Sequence, residues 1–519
     1  MEDAKKIFNS KFYFIILAIA SLEITSFFGH FFFNLDHLIF ILVIALTLIL
    51  SLKNIKYGVW IVLLELFIGS QGYLLHLDIG SIKISLRIGL WLILTSICLK
   101  NYIFSIFNQE LRSCSLLLSG KIFKTANFSY FAILFFFVLY GCANGFFQGN
   151  TFSNIFFDFN GWLYFLLIFP IYETFFNPAQ TEEDKPFLPV WRIFAASVVW
   201  LCFKTFLLLF FFSHAFPEGS FLSLLLTHEL YQWVRDTLTG EITLMPSGFI
   251  RIFIQSQIFV LIALILGLFA ASRFWPDIKN NKRIISFFIL AGALMLGTIL
   301  ICFSRSFWIS ALIIFPFYAF WALKKYGRNC FFFVVLMLLG SLIISLGLIF
   351  ATVKFPIPPP SISFNIAQAL SDRAGTINNE AAASSRYALL PELWKQIKSS
   401  PVLGKGFGST VTYHSSDPRV LQQNPAGNYT TYAFEWGWLD IWLKLGFFGL
   451  LAYLLLLGKI IKDGYKKNTW LAFGLGSATL LITAVSIFSP YTNHPLGIGF
   501  LIIAAAIISK EKNSSCTCP

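Results

Sequence analysis

Ser304 and Arg305 interrupt the apolar run GTILICFSRSFWISALIIF at the junction of two hydrophobic segments. An arginine at mid-membrane costs at least ~2.5 kcal/mol on insertion scales, so such a residue faces protein, water or a ligand. An interfacial arginine snorkelling to lipid phosphates satisfies the same constraint. Arg251, after MPSGF at the start of another apolar run, repeats the pattern, and so does Arg87 near the end of its own run. Several outward arginines around apolar helices suit a phosphorylated lipid. The guanidinium is a rigid fork of donors that stays charged, so it can pair with diphosphate oxygens and stabilise the charge that builds as diphosphate leaves.

The most polar stretch is SSRYALLPELWKQIKSSPVLGKGFGS, Ser384 to Ser409, followed by FEWGWLDIWLKLGFFG, Phe434 to Gly449. Arg386 to Ser399 reads as a short amphipathic helix capped by Ser384 or Ser385, with Leu389, Leu390, Leu393, Trp394 and Ile397 on one side; Pro391 kinks it or marks its start. A helix lying on the membrane surface is the simpler alternative for every residue except Arg386. The turn Pro401-Val-Leu-Gly404-Lys-Gly406-Phe-Gly408 needs permissive glycine dihedrals. It is not a nucleotide loop, because no strand precedes it and no GK[ST] is present. Gly404 and Gly406 could still cradle a phosphate or a sugar through backbone N–H groups. Glu435 opens the next apolar run, where it acts as a base if ionised or a hydrogen-bond donor if not; a helix-initial acid favoured by the macrodipole is the structural alternative. Asp440 and Lys444, four apart, neutralise each other. Glu23, Glu65 and Lys204 are further charges inside apolar runs, without an obvious partner. His214, His228, His414 and His494 lack ligand spacing, so no metal site is expected.

These groups sit in a chain of 519 residues that is 57% hydrophobic and 12% charged, with 62 Phe. That lies far from the usual globular balance and predicts an all-α, polytopic transmembrane helical bundle. Fourteen apolar runs begin near residues 12, 37, 58, 84, 128, 159, 191, 248, 284, 306, 330, 434, 469 and 494. The second and last are short, giving about 12–14 spans at about 20 residues each. The formal charge of +13 falls in short basic tufts between apolar runs, which argues for membrane topology and against nucleic acid. With the N-terminus inside, tufts such as Lys5, Lys6 and Lys11, Lys279 to Arg283, Lys324 to Arg328 and Lys459 to Lys467 fall on the cytoplasmic side with both termini. Lys83, Arg235 and Arg305 remain outside. The first run reads as an uncleaved anchor helix, and no cysteine falls in an outer loop, so no disulfide framework is expected.

The resulting organisation is N-terminal spans over 1–247, central spans over 248–352 with the Ser304-Arg305 junction, a large outer loop over 353–433, and C-terminal spans with a short cytoplasmic tail over 434–519. The large loop lies between the third- and fourth-last groups of helices. It opens on the non-helical spacer KFPIPPP and becomes polar from Ser371 to Ser385. An outer segment, FLSLLLTHELYQWV, suits an interfacial or re-entrant helix with Tyr231 and Trp233 at headgroup level. The run TEEDK, Thr181 to Lys185, is a solvated turn.

Four pieces in this order resemble the O-antigen ligase and polymerase superfamily of bacterial membrane proteins: Ser304-Arg305 at a span junction; Arg386, Trp394, Pro401, Gly404, Gly406 and Gly408; the long outer loop; and LDIWLKLGFFGLL with Leu439, Gly446 and Gly449. The resemblance covers about Met245 to Lys510 and is strongest from Ser304 to Leu451. It implies transfer of a glycan from an undecaprenyl-diphosphate carrier to a sugar hydroxyl on the outer face of the bacterial plasma membrane, without metal, nucleotide or other cofactor. It also implies that Arg305 and Arg386 hold the diphosphate, with Arg251 as a third contact and Ser304, Arg87, Gly404 and Gly406 as further substrate contacts. The partners implied are the lipid-linked donor and acceptor and the bilayer, with room for a chain-length regulator and a flippase.

Ligases of this kind carry HNxxL before the glycine turn; counting back from Gly446 places Glu435 at the His and Trp436 at the Asn. That departure favours a polymerase, with Glu435 removing the acceptor proton. The alternatives are a ligase acting on lipid A core or protein, and a transporter or flippase of the lipid-linked glycan, against which stands the absence of an internal repeat.

Overall fold

The computed structural model is described over residues 6–31, 35–80, 82–107, 127–176, 187–217, 223–362 and 381–511. The TEEDK turn, the polar stretch up to residue 380, Cys114, Cys516, Cys518 and several basic residues of the tufts lie outside that set.

In chain order the elements begin with α1 (Ser10–Phe31), α2 (Leu35–Lys53), α3 (Ile55–Ile68), the hairpin β1 (His76–Ile79) and β2 (Ile82–Ser85), and α4 (Leu86–Phe107). There follow α5 (Phe128–Phe147), α6 (Phe152–Phe159), a 3-10 segment (Asn160–Leu167), α7 (Ile168–Phe176), α8 (Phe187–Ser213), α9 (Leu230–Asp236), and the hairpin β3 (Glu241–Leu244) and β4 (Ile250–Phe253). The remainder comprises α10 (Gln257–Arg273), α11 (Trp275–Ile278), α12 (Lys282–Ile301), α13 (Arg305–Val353), α14 (Ala381–Ser399), β5 (Val411–His414), α15 (Pro418–Gln423), β6 (Asn428–Thr431), α16 (Gly437–Lys466), α17 (Trp470–Val485) and α18 (Pro495–Lys510).

The protein is an all-α polytopic membrane protein. Among the described residues nine helices are long and apolar enough to cross a bilayer, and α10, α17 and α18 are shorter apolar helices. Each of the fourteen apolar runs coincides with helix, α13 accounting for two because Gly327 at φ 80° breaks it. The largest displacement is in the run expected to begin near 248. Its helix starts only at Gln257, because Ile250–Phe253 pair with Glu241–Leu244 as an antiparallel hairpin, Thr243 opposite Arg251. Alternating buried and half-buried residues along β4 explain the misreading: a short apolar strand and a buried helix start look alike in sequence.

The chain forms two compact units. The first comprises Met1–Ile122, Leu167–Ile366 and Thr469–Gly474; the second comprises Phe123–Leu166, Ala367–Asn468 and Leu475–Pro519. In the first unit the isolated charges of the apolar runs find one another. Glu65 on α3 takes two bonds from Arg87 on α4, Nε at 3.0 Å and Nη2 at 2.9 Å, while Arg87 Nη1 donates to the Ser70 carbonyl at 2.9 Å. Glu23 on α1 pairs with Lys204 on α8 at 2.7 Å, and the Lys204 ammonium also lies 5.1 Å from the Trp233 ring centre. Trp233 is buried within the unit and donates its indole N–H to Ser26 Oγ at 3.0 Å. Tyr231, two residues earlier, is exposed. The bulky indole ties α9 to α1.

Removing one member of a buried ion pair strands the other charge. Glu65→Ala is therefore expected to destabilise the protein by about 3–5 kcal/mol. The double change Glu65→Leu with Arg87→Leu should recover most of that loss, a comparison measurable as thermal unfolding in detergent.

Candidate functional site

The two units each hold a group of polar residues that the sequence singles out. In the first unit, α12 ends at Ile301 and the chain reverses through Cys302 and Phe303, with φ 46° at Phe303, to Ser304, the N-cap of α13 at φ −85°, ψ 108°. Ser304 Oγ lies 3.0 Å from Ser306 Oγ. Arg251 reaches this reversal from β4: its Nε donates to the Cys302 carbonyl at 3.0 Å, and its guanidinium lies 5.1 Å from the Phe253 ring centre. Glu241 Oε2 is 3.9 Å from Arg251 Nη1. Arg251 thus meets the turn that leads to Ser304, but it arrives on a strand and its Nε is bonded to backbone. Arg305 occupies the first position of a long helix, where the macrodipole disfavours a cation and favours an anion. The helix start itself therefore favours an anion. Arg87 does not join this group; it is 4% exposed and engaged with Glu65 and Ser70.

In the second unit, Arg386 on α14 and Glu435, just ahead of α16, form an ion pair through Nε and Oε2, each side chain about half exposed. The sequence proposes each separately; the forty-eight residues between them hide that they are partners. What holds them is the packing of α14. Leu389, Leu393 and Ile397, spaced four apart, are buried against Val411, Phe434 and Leu443, with Tyr413, Trp436, Leu439 and Trp442 packed around them. The helix begins by Ala381 and runs through Pro391, so the expected caps lie inside it. Ser384 and Ser385 instead hydrogen-bond Ser416 and Ser415, Ser385 Oγ at 2.5 Å. Trp436 completes the frame by donating its indole N–H to the Arg386 carbonyl at 3.0 Å.

The glycine turn lies at the foot of α14 and is inserted among helices of the same unit. Lys405 N donates to Leu443 O at 2.6 Å, Phe407 N to Gly141 O at 3.0 Å, and Gly408 N to Asp158 Oδ2 at 2.9 Å. Its carbonyls accept from side chains: Leu403 and Gly404 from Asn144 at 3.3 and 3.2 Å, and Lys405 and Phe407 from Asn150 at 3.1 and 2.8 Å. A Cβ on Gly406, at φ 74°, would stand 2.1 Å from Gly145 N, and one on Gly404 2.6 Å from Gly446 N. These glycines thus let the turn touch helix backbone directly, and the bonds named here run to protein. Beneath the turn, Lys444 Nζ lies 2.5 Å from both Asp158 Oδ1 and Asp440 Oδ1, and Asn493 bonds the remaining Asp440 oxygen. The expected Asp440–Lys444 pair is present. Asp158, Asn144, Asn150 and Asn493 were missed, although a polar residue inside or beside an apolar run is a readable signal that something must satisfy it.

The protein is thus a polytopic helical membrane protein with a helix start that favours an anion in one unit and an exposed arginine–glutamate pair in the other. Residues 290–454 match the family model of O-antigen ligases. That is about a third of the chain, narrower than Met245 to Lys510, and it includes Ser304, Arg305, Arg386, Gly404, Gly406 and Glu435 while leaving out Arg87 and Arg251. The match supports a membrane glycan ligase or polymerase in general. No curated protein matches the chain.

The close contacts of the turn lead to a paired expectation. Gly406→Ala, which combines a positive φ with a backbone collision, should cost about 2–4 kcal/mol and sharply lower the yield of folded protein. Gly458→Ala, on the same unit's α16 with nothing within 4 Å of the added methyl, should leave the melting temperature in detergent unchanged or slightly raised.

Proposed function

We propose that the protein is an outer-face glycosyltransferase of the bacterial inner membrane that polymerises oligosaccharide repeat units carried on undecaprenyl diphosphate, the units of O-antigen or another surface polysaccharide. The observation that carries this reading is the exposed Arg386–Glu435 pair within the family-matched stretch. An exposed ion pair is worth about 0–1 kcal/mol, so it opens readily for a better partner. A diphosphate is that partner for Arg386, whose fork matches its oxygens. Its binding frees the Glu435 carboxylate to accept a proton.

The acceptor hydroxyl oxygen attacks the anomeric carbon of the donor, its proton passes to Glu435, and the bond from that carbon to the diphosphate oxygen breaks with both electrons leaving on diphosphate. Arg386 stabilises the charge released. In the first unit, Arg305 with Ser304 at the start of α13 is assigned as a contact for phosphate oxygens in its own right, and Arg251 supports the backbone of that turn. Both termini are placed in the cytoplasm on the strength of the basic tufts.

The name of the matching family favours ligation onto an acceptor such as lipid A core as a second reading. The glutamate at the position where ligases carry histidine favours polymerisation. Purified protein supplied with lipid-linked repeats in detergent should lengthen the glycan without a sealed membrane, which a transporter cannot do. Glu435→Gln is expected to lower that rate by about 10²–10⁴-fold, and Arg386→Ala and Arg305→Ala to lower it as well. Normal glycan ladders at normal expression for all three in a complemented deletion strain would remove the residue assignment. A null strain that accumulates finished polymer on the carrier, in place of single repeats, would make the protein a ligase.

A further inference from the structure

Arg386 and Glu435 are each followed in the chain by an aromatic residue, Tyr387 and Trp436. The two rings meet across the seam between α14 and α16, with centroids 6.2 Å apart and planes inclined at 58°. Tyr387 is 50% exposed. Trp436 is half-buried and held on two sides, by its N–H bond to the Arg386 carbonyl and by the Phe488 ring at 5.8 Å. The core beneath is already closed by Leu389, Leu393, Ile397, Val411, Phe434 and Leu443. Tyr387 is therefore not required to fill it, and leaves a large ring surface in the open beside an exposed charge pair.

A pyranose ring has an apolar face of C–H groups and an edge of hydroxyls. A fixed aromatic surface flanked by hydrogen-bonding groups matches both parts, because the rings take the apolar face while a guanidinium donates to, and a carboxylate accepts from, the hydroxyls. A polyprenyl chain fits the same place poorly, since covering it with hydrocarbon would desolvate Arg386 and Glu435. The surroundings therefore select for sugar over lipid.

We propose that Tyr387 and Trp436 form a stacking subsite for one sugar ring of the lipid-linked glycan, placing that ring beside the Arg386–Glu435 pair. The identity of the glycan as substrate rests on the function proposed above; the recognition of a sugar ring by these two side chains does not require that the protein be an enzyme. Trp436 stands where the resembling ligases carry asparagine, so the subsite would distinguish this chain from them in what it holds at that point.

The test uses full-length protein in detergent and, as probe, the free oligosaccharide released by mild acid from the host's own polyprenyl-linked pool, with binding measured by calorimetry. Tyr387→Leu and Trp436→Leu are expected to weaken binding about tenfold each, and Tyr387→Phe, which keeps the ring, to stay within about twofold of wild type. Turnover of lipid-linked repeats should show the Leu variants raised in KM more than lowered in kcat. Should Trp436→Leu fail to fold, the exposed Tyr387 decides the matter alone. Wild-type affinity in Tyr387→Leu overturns the proposal, as does a wild-type protein that elongates lipid-linked repeats yet binds no released oligosaccharide. Ring-dependent binding in a protein that transfers nothing supports the subsite and overturns the enzymatic reading instead.

Discussion

Peptide groups carried among membrane-spanning helices must be paired, since each one left unsatisfied in hydrocarbon costs several kcal/mol. The turn from Pro401 to Gly408 meets that constraint with partners from three parts of the second unit: the α16 carbonyl of Leu443, the α5 carbonyl of Gly141 and amide of Asn144, and Asn150 and Asp158 beyond α5. Its glycines allow backbone to approach backbone, and Gly446, at φ 72°, opens α16 to receive it. Lys444 holds Asp158 and Asp440 below it, so the carboxylate that caps Gly408 N is itself tied to α16.

From this anchored turn α14 rises along α16, and everything the candidate site offers follows from that placement. The buried leucines and isoleucine of α14 set its rotation, which sends Arg386 to the edge facing Glu435. Trp436 then fixes the seam from the other side. The exposed charge pair is weak by itself. Its geometry is inherited from a buried polar and apolar framework that is strong, which is how a readily opened pair can still be well positioned.

The first unit shows the other use of charge in this protein. Glu65 with Arg87 and Glu23 with Lys204 are almost wholly buried and fasten helices to one another. Arg87 and Arg305 look alike in sequence, each an arginine near the end of an apolar run. Both begin a helix, and burial separates them: Arg87 is almost wholly buried and shares its guanidinium between a carboxylate and a carbonyl inside the unit, whereas Arg305 is half-buried.

By itself the sequence determined most of the helices, because apolar runs of spanning length and the breaks between them are local properties, and among the described residues each such run contains a helix. It also determined the amphipathic face of α14, the need for glycine in the turn after it, and the Asp440–Lys444 pair, all of which depend on spacing along one element. Only the tertiary structure decided which charges meet. Arg386 finds Glu435, Lys444 finds Asp158, and Arg251 finds the Cys302 carbonyl across long stretches of chain. It also decided that Ile250–Phe253 is strand and that Trp233 is buried. The physical reason is that helix formation in a long apolar run depends mainly on the segment, whereas a strand needs a second strand and a charged or polar group in such a run needs a partner, and both are chosen by packing.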